Sequence, residues 1–307
     1  MTKPFRGVFG ILLTTYTETD DVELSDLAAQ ADFVAATTQG IVWPVLASEF
    51  YLLDEDEKAA GYAAVVAGNR QRVPFIAGVS SPTTRGAVRQ AEAAAKAGAD
   101  AVISMAPYFK KAVGPELVKH FRAIASVGLP ICVQNSGWLG GTSTLTAAEL
   151  KLLVDEVPEI QYLKEEAPAL PETISKVLDA VPGGFKAVFG GAGCRYLVDE
   201  LNRGGAGNMP ACEFADLFGY VVDRYDRGEL ADARRWHAAG LVGYNNVETA
   251  YHGAGPREVL KRRGIIRSTR SRYPRPNELD SAALAEIDAT LEYLAPYLRW
   301  PEHKLQP

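Results

Sequence analysis

Residues 73–106 read VPFIAGVSSPTTRGAVRQAEAAAKAGADAVISMA, and this stretch decides the fold. Two apolar runs, 73–79 and 99–106, bracket an Ala-rich segment, 83–97, with helical spacing of its apolar residues. Each run is short and bounded by Gly, Pro or Asp, the mark of a strand buried on both faces. A strand, a helix and a second strand in that order demand parallel pairing through a right-handed crossover. The pattern continues in both directions, with apolar runs at 8–13, 40–45, 130–134, 160–164, 185–189 and 205–209. Helical segments lie between them. One is 146–154, where Glu149 follows Thr146 by three residues in a capping-box pattern. Another is expected to begin at Asp54-Glu-Asp-Glu57, whose charges suit the positive end of a helix dipole. Eight strand–helix units within residues 1–228 predict an α/β protein, a (β/α)8 TIM barrel. An open doubly wound sheet usually shows a glycine fingerprint after its first strand, but here the first strand runs into Thr17-Glu-Thr-Asp-Asp21. The alternation stops after Arg227-Gly228. Segments 229–247, 256–263 and 279–298 read as helices, so 229–307 is expected to be a helical appendage.

Composition narrows the function. Of 307 residues, 47% are apolar and 23% charged, and 32 Lys+Arg against 38 Asp+Glu give a formal net charge of −6. That balance, with no long basic run, argues against a nucleic-acid partner. The densest basic group, Lys261-Arg262-Arg263 with Arg267, Arg270 and Arg272, reads as a solvated helix end. Cys132, Cys194 and Cys212 are too scattered for a disulfide framework or a metal site, and suggest reduced thiols in a cytoplasmic protein. No leader pattern or long apolar span is visible, so a membrane role is not expected. The four histidines, His120, His237, His252 and His303, fall on predicted helices or the tail, which disfavours a metal-dependent reaction.

In such barrels the chemistry collects at the carboxyl ends of the strands. The sixth run ends Tyr162-Leu-Lys164-Glu-Glu166. Side chains alternate along a strand, so Tyr162, Lys164 and Glu166 share one face. With Leu163 packed against the helices, Lys164 points into the barrel. A desolvated lysine supplies the neutral amine that attacks a ketone, and an internal Lys164–Glu166 ion pair is the structural alternative. Other strand ends add Tyr108 after the fourth run and Gln134-Asn135 after the fifth. The second contributes Ala47-Ser48-Glu49. The glycine-rich stretches Gly190-Gly-Ala-Gly193 and Gly204-Gly-Ala-Gly207 read as tight turns or, for the first, as a possible anion contact.

These residues resemble the dihydrodipicolinate synthase / N-acetylneuraminate lyase family of class I Schiff-base lyases. The likeness runs from Gly7-Val-Phe-Gly-Ile-Leu-Leu-Thr-Thr-Tyr16 through Val73-Pro-Phe-Ile-Ala-Gly78, Ala97-Gly-Ala-Asp100 and Pro107-Tyr108 to the C-terminal helices. The family's strand-six lysine falls on Lys164. The resemblance implies a covalent lysine Schiff base with no other cofactor and no metal. It also implies a 2-oxo acid such as pyruvate as ligand, and a homotetramer built as a dimer of dimers.

Several family positions differ. The Gly-Thr-Thr-Gly-Glu loop is Val45-Leu-Ala-Ser-Glu49, and Pro-Tyr-Tyr is Pro107-Tyr108-Phe109. The strand-five Tyr-Asn is Gln134-Asn135, and the arginine that follows has no counterpart in Ser136-Gly-Trp138-Leu-Gly-Gly141. The subgroup resembling 2-keto-3-deoxy-L-arabonate dehydratase fits better, through Ser48-Glu49, Gln134, Lys164-Glu-Glu166-Ala-Pro168 and Met209-Pro-Ala-Cys-Glu-Phe214. The resemblance therefore implies dehydration of a 2-keto-3-deoxy sugar acid, with aldol cleavage, dihydrodipicolinate synthesis or non-catalytic 2-oxo acid binding as alternatives. Lys164, Glu166 and Tyr108 are the expected catalytic groups, and Ala47, Ser48, Glu49, Gln134, Asn135, Gly190 and Met209 the expected substrate contacts.

Overall fold

The computed structural model describes residues 5–137, 144–168, 170–272 and 279–300. The 138–141 loop and His303 lie outside them. Eight parallel strands close into a barrel in sequence order. They are β1 (Gly7–Ile11), β2 (Gly40–Trp43), β3 (Phe75–Gly78), β4 (Ala101–Ser104), β5 (Ile131–Ser136), β6 (Ile160–Glu166), β7 (Ala187–Gly190) and β8 (Gly207–Asn208). The ring is shut where Gly7 and Val8 pair with Gly207 and Asn208. Around it run α1 (Leu24–Thr37), α2 (Glu55–Asn69), α3 (Thr84–Ala97), α4 (Pro115–Ala125), α5 (Ala147–Glu156), α6 (Glu172–Ala180), α7 (Leu197–Asn202) and α8 (Ala215–Asp226).

The local signals act as their chemistry requires. Asp54 and Glu57 form a capping box at the start of α2, and Thr146 and Glu149 form another at α5, so orphan N–H groups find acceptors. Alternation along the strands sorts side chains into two cores. Val42, Ile76, Ile103, Cys132, Tyr162 and Phe189 fill the barrel interior. Their neighbours Trp43, Phe75, Val102, Val133 and Leu163 pack outward against the helices. Phe5 stacks on Tyr162 with ring centroids 4.2 Å apart and closes the amino-terminal end. The carboxyl end stays open.

Three further helices follow: α9 (Leu230–Gly243), α10 (Ala254–Arg262) and α11 (Ser281–Leu294). Between α9 and α10 the chain winds as a π-helical turn, Tyr244–Thr249. Among the described residues no helix is long and apolar enough to cross a membrane. The expectation of a solvated basic cluster at 261–272 holds for Lys261, Arg267 and Arg270, which are exposed, and is corrected for the others. Arg263 is buried and holds Asp216 with two bonds of 2.7 and 3.0 Å, while Arg272 reaches Glu57 and the Leu52 carbonyl. These guanidinium groups clamp the C-terminal segment to the barrel, because a fork of fixed donors matches carboxylates and carbonyls together.

Candidate active site

A cavity of about 560 Å³ opens at the carboxyl ends of the strands, and Lys164 and Glu166 line it. Lys164 sits on β6 between Gln134 of β5 and Phe189 of β7 in the ladder, and is 3% exposed. Its Nζ lies 3.0 Å from Glu166 Oε2. The same oxygen accepts a 3.1 Å bond from Gln134 Nε2, and Oε1 accepts one of 3.4 Å from the Ala192 amide. A buried ammonium needs such a partner, and three donors converging on one carboxylate fix where it sits. Close approach of the β7 loop depends on Gly191. A Cβ there would stand 2.1 Å from Glu166 Oε1. Behind the lysine, burial pushes the Cys132 thiol far up, with only partial opposition from the Lys164 charge, so it stays an inert thiol.

The other expected residues divide. Ala47, Glu49 and Met209 reach the cavity wall. Glu49 holds a left-handed backbone (φ 57°), and its carboxylate lies 2.5 Å from Arg257 Nη2, a guanidinium buried completely. Ser48 is turned away. Its hydroxyl donates to the Leu12 carbonyl at 2.6 Å and its amide to the Val45 carbonyl, so neither is free to hold a substrate carboxylate. Asn135 also requires correction. One residue on from Gln134, it lies on the outward face, where its amide donates to Glu165 at 2.9 Å and its oxygen accepts from the Leu145 amide. Burial there pushes Glu165 up to about 7. Tyr108 is not brought to the wall; its ring packs edge-on against Phe50, and burial raises its phenol to about 12. Gly190 is not in the lining either. It makes room for the Glu200 carboxyl, which a Cβ would meet at 2.1 Å, whereas Gly193 reaches the cavity.

Most of the wall comes from residues not among the expected site residues. The π-turn and the turn before α10 bring Tyr244, Glu248 and His252 to the cavity, and the loop after β7 brings Arg195. His252 was expected away from the strand ends; the turn before α10 returns it to the barrel mouth. Arg195 Nη2 donates to the Tyr244 hydroxyl at 2.6 Å, and the guanidinium carbon Cζ lies 5.1 Å from that ring's centroid. Burial, and after it the neighbouring Glu213, push the Glu248 carboxyl well above its ordinary range, against the pull of Lys164 and Arg195. Glu213 is 2% exposed, pushed up to about 7 by burial, with one oxygen lacking a partner. Glu200 is likewise raised to about 7 by burial, although Asn208 donates to it at 2.8 Å. The one sequence cue to this region was the glycine stretch ending two residues before Arg195. A second hollow of about 520 Å³ lies outside, between α4 and α5, walled by Lys119, Arg122 and Glu156. No strand residue lines it.

Known proteins resemble this chain throughout its length. The model of the dihydrodipicolinate synthetase family matches residues 4–292. L-2-keto-3-deoxyarabonate dehydratase from Azospirillum brasilense is 25% identical over 301 residues, 96% of this chain and 96% of its own. N-acetylneuraminate lyase from Rhizobium meliloti is 27% identical across 97% of each chain, and 4-hydroxy-tetrahydrodipicolinate synthase from Chlorobium luteolum 28% across 95% and 98%. Among solved structures, YagE, a prophage protein from E. coli K12 in complex with pyruvate, superposes with a TM-score of 0.85 at 22% identity, covering 94% of this chain and 98% of that one. Dihydrodipicolinate synthase from Rhodopseudomonas palustris gives 0.85 at 23%, covering 96% and 99%. At such identities the structures speak for the fold.

Proposed function

Because the chain belongs to the dihydrodipicolinate synthetase family, whose members are Schiff-base lyases, we propose that it dehydrates a 2-keto-3-deoxy sugar acid through an imine on Lys164. The observation that carries this reading is a lysine 3% exposed, on the wall of a cavity and bonded to a single carboxylate. Glu166 is placed to take the ammonium's proton and free the amine. Attack on the C2 ketone gives a carbinolamine. Glu166 returns the proton to the departing oxygen, water leaves, and the iminium forms beside a regenerated carboxylate. The iminium acidifies C3, and Glu166 on the same strand face is the base that removes a C3 proton. Nitrogen's lone pair, restored in the enamine, then expels the C4 hydroxyl. Hydrolysis frees Lys164.

Gln134 holds Glu166 in this scheme, while Ala47, Glu49 and Met209 contact the substrate. The dehydratase likeness of Ser48-Glu49, Gln134 and Lys164-Glu-Glu166 favours loss of water over carbon–carbon cleavage, as does the Azospirillum relative. A homotetramer belongs to the same reading. The test is to incubate the protein with pyruvate, reduce with borohydride and map the modified peptide. Modification of Lys164 is expected; an adduct on another lysine, or none with any 2-oxo acid, overturns the proposal. A panel of keto-deoxy acids then separates the chemistries, since dehydration yields a dehydrated 2-oxo acid and aldol cleavage yields pyruvate plus an aldehyde.

A further inference from the structure

The strongest unassigned feature is the π-turn Tyr244–Thr249, because it faces the reacting lysine from a part of the chain outside the barrel strands. A π-turn carries one more residue per turn than an α-helix and is energetically poor, so its presence asks for a reason. Here its looser winding sets Tyr244, Glu248 and Thr249 on one side, with His252 and Gly253 a turn further along, all on the cavity wall. The opposite loop is shaped to receive them. Gly193 has φ +63°, and a Cβ there would stand 2.1 Å from the Tyr244 ring and 2.5 Å from a Glu248 carboxyl oxygen. Gly191, two residues earlier, makes the same allowance for Glu166. One short loop is thus hollowed at two points, for two carboxyl groups that reach one cavity.

We propose that Glu248 is the acid that protonates the departing C4 hydroxyl, so that Glu166 and Glu248 divide the roles of base and acid. This rests on the imine reading above. After Glu166 has taken the C3 proton, the nitrogen pair returns to form C2=N, the enamine double bond moves to C3=C4, and the C4–O bond breaks. Its electron pair stays on oxygen, Glu248 supplies the proton, and water departs. Hydrolysis of the conjugated iminium consumes one water and restores the amine. Glu166 is then one proton richer and Glu248 one poorer, and exchange through the open mouth resets both. The surroundings suit the division. Glu166 faces the Lys164 cation at 3.0 Å, whereas Glu248 lies among Glu213 and Glu166 with burial raising it, and Lys164 and Arg195 only partly opposing. One carboxyl is held against the lysine and the other lies across the cavity, raised by burial, so the second can carry the proton that the leaving oxygen needs.

The test replaces Glu248 with Gln and compares two substrates, the keto-deoxy acid and its analogue with fluorine in place of the C4 hydroxyl. Fluoride leaves without a proton. E248Q is expected to lose about 10²- to 10⁴-fold in turnover of the hydroxyl substrate, to stay within a few-fold of the parent on the fluoro analogue, and to keep full borohydride trapping of pyruvate on Lys164. Glu248→Asp, which retains a shortened acid, is expected to fall between Gln and the parent on the hydroxyl substrate and to match the parent on the fluoro analogue. Equal losses on both substrates, unchanged turnover of the hydroxyl substrate, or loss of trapping in the variants would each overturn the role. Failure of trapping in the parent protein would instead overturn the imine reading, so the two failures are distinguishable.

Discussion

Replacing Arg257 with Met removes the cation that holds Glu49 at the cavity rim, and the structure sets the size of the effect. Arg257 is wholly buried and joins three elements: Nη2 meets Glu49 at 2.5 Å, Nε donates to the Thr14 carbonyl at 2.9 Å and Nη1 to the Gly253 carbonyl at 3.0 Å. Its partner lies 208 residues earlier, so the pair ties α10 to the turn after β2. Burial pulls the guanidinium down to about 10 even beside that carboxylate, yet it remains a cation at neutral pH. Desolvation is therefore the dominant cost, and a pair in this setting contributes little net stability. Breaking it is another matter, because the Glu49 carboxylate loses its buried guanidinium partner, a loss of up to about 3–5 kcal/mol. The double variant Glu49→Gln/Arg257→Met removes the carboxylate charge as well and is expected to recover roughly half of that loss. Urea unfolding followed by circular dichroism reads both, with the slope unchanged and only the midpoint moving. A loss below about 1 kcal/mol in Arg257→Met, the range of an exposed pair, refutes the reasoning. So does a double variant no more stable than the single one.

Gly191→Ala places a methyl group 2.1 Å from Glu166 Oε1 in a backbone with negative φ (−138°), so the carboxylate must move rather than the chain. Turnover is expected to fall while urea unfolding shows a loss of no more than about 1–3 kcal/mol, the usual cost of overpacking; unchanged turnover would mean that Glu166 needs no fixed position. Burial raises the Glu200 carboxyl to about 7 in the fold, against an ordinary value of 4.5. The folded chain therefore binds more protons than the unfolded one between those values, and stability falls as pH rises through 7, by up to about 3 kcal/mol for this group. Chemical unfolding from pH 5 to 8 should show that decline, and Glu200→Gln should make it shallower, the remainder belonging to Glu165 and Glu213, which burial also raises to about 7; an unchanged slope in the variant assigns the decline elsewhere.

The alternation of short apolar runs with amphipathic segments was enough to specify a closed parallel barrel, because strands covered on both faces leave a two-fold-silent, continuous apolar signal that few folds produce. Parity along β6 was equally legible. A period of two put Lys164 and Glu166 on the interior face and Leu163 against the helices, and that holds whatever surrounds the strand. The same rule, applied to β5, would have turned Asn135 outward once Gln134 was taken inward. Ser48 escaped for a different reason: its hydroxyl and amide are consumed by the Leu12 and Val45 carbonyls, partners that only the folded turn brings near.

Strand order, the interior lysine and its adjacent carboxylate were thus written in local periodicity, which acts over a few residues and needs no knowledge of distant neighbours. The far wall was not. Arg195, Tyr244, Glu248 and His252 meet Lys164 because the C-terminal helices fold back over the barrel mouth and a π-turn shifts their facing. Contacts of that kind are set by packing between segments 30 to 90 residues apart along the chain, and no spacing within either segment encodes them. Burial, and the carboxyl groups it raises, likewise depends on what covers a side chain, which the tertiary structure alone decides.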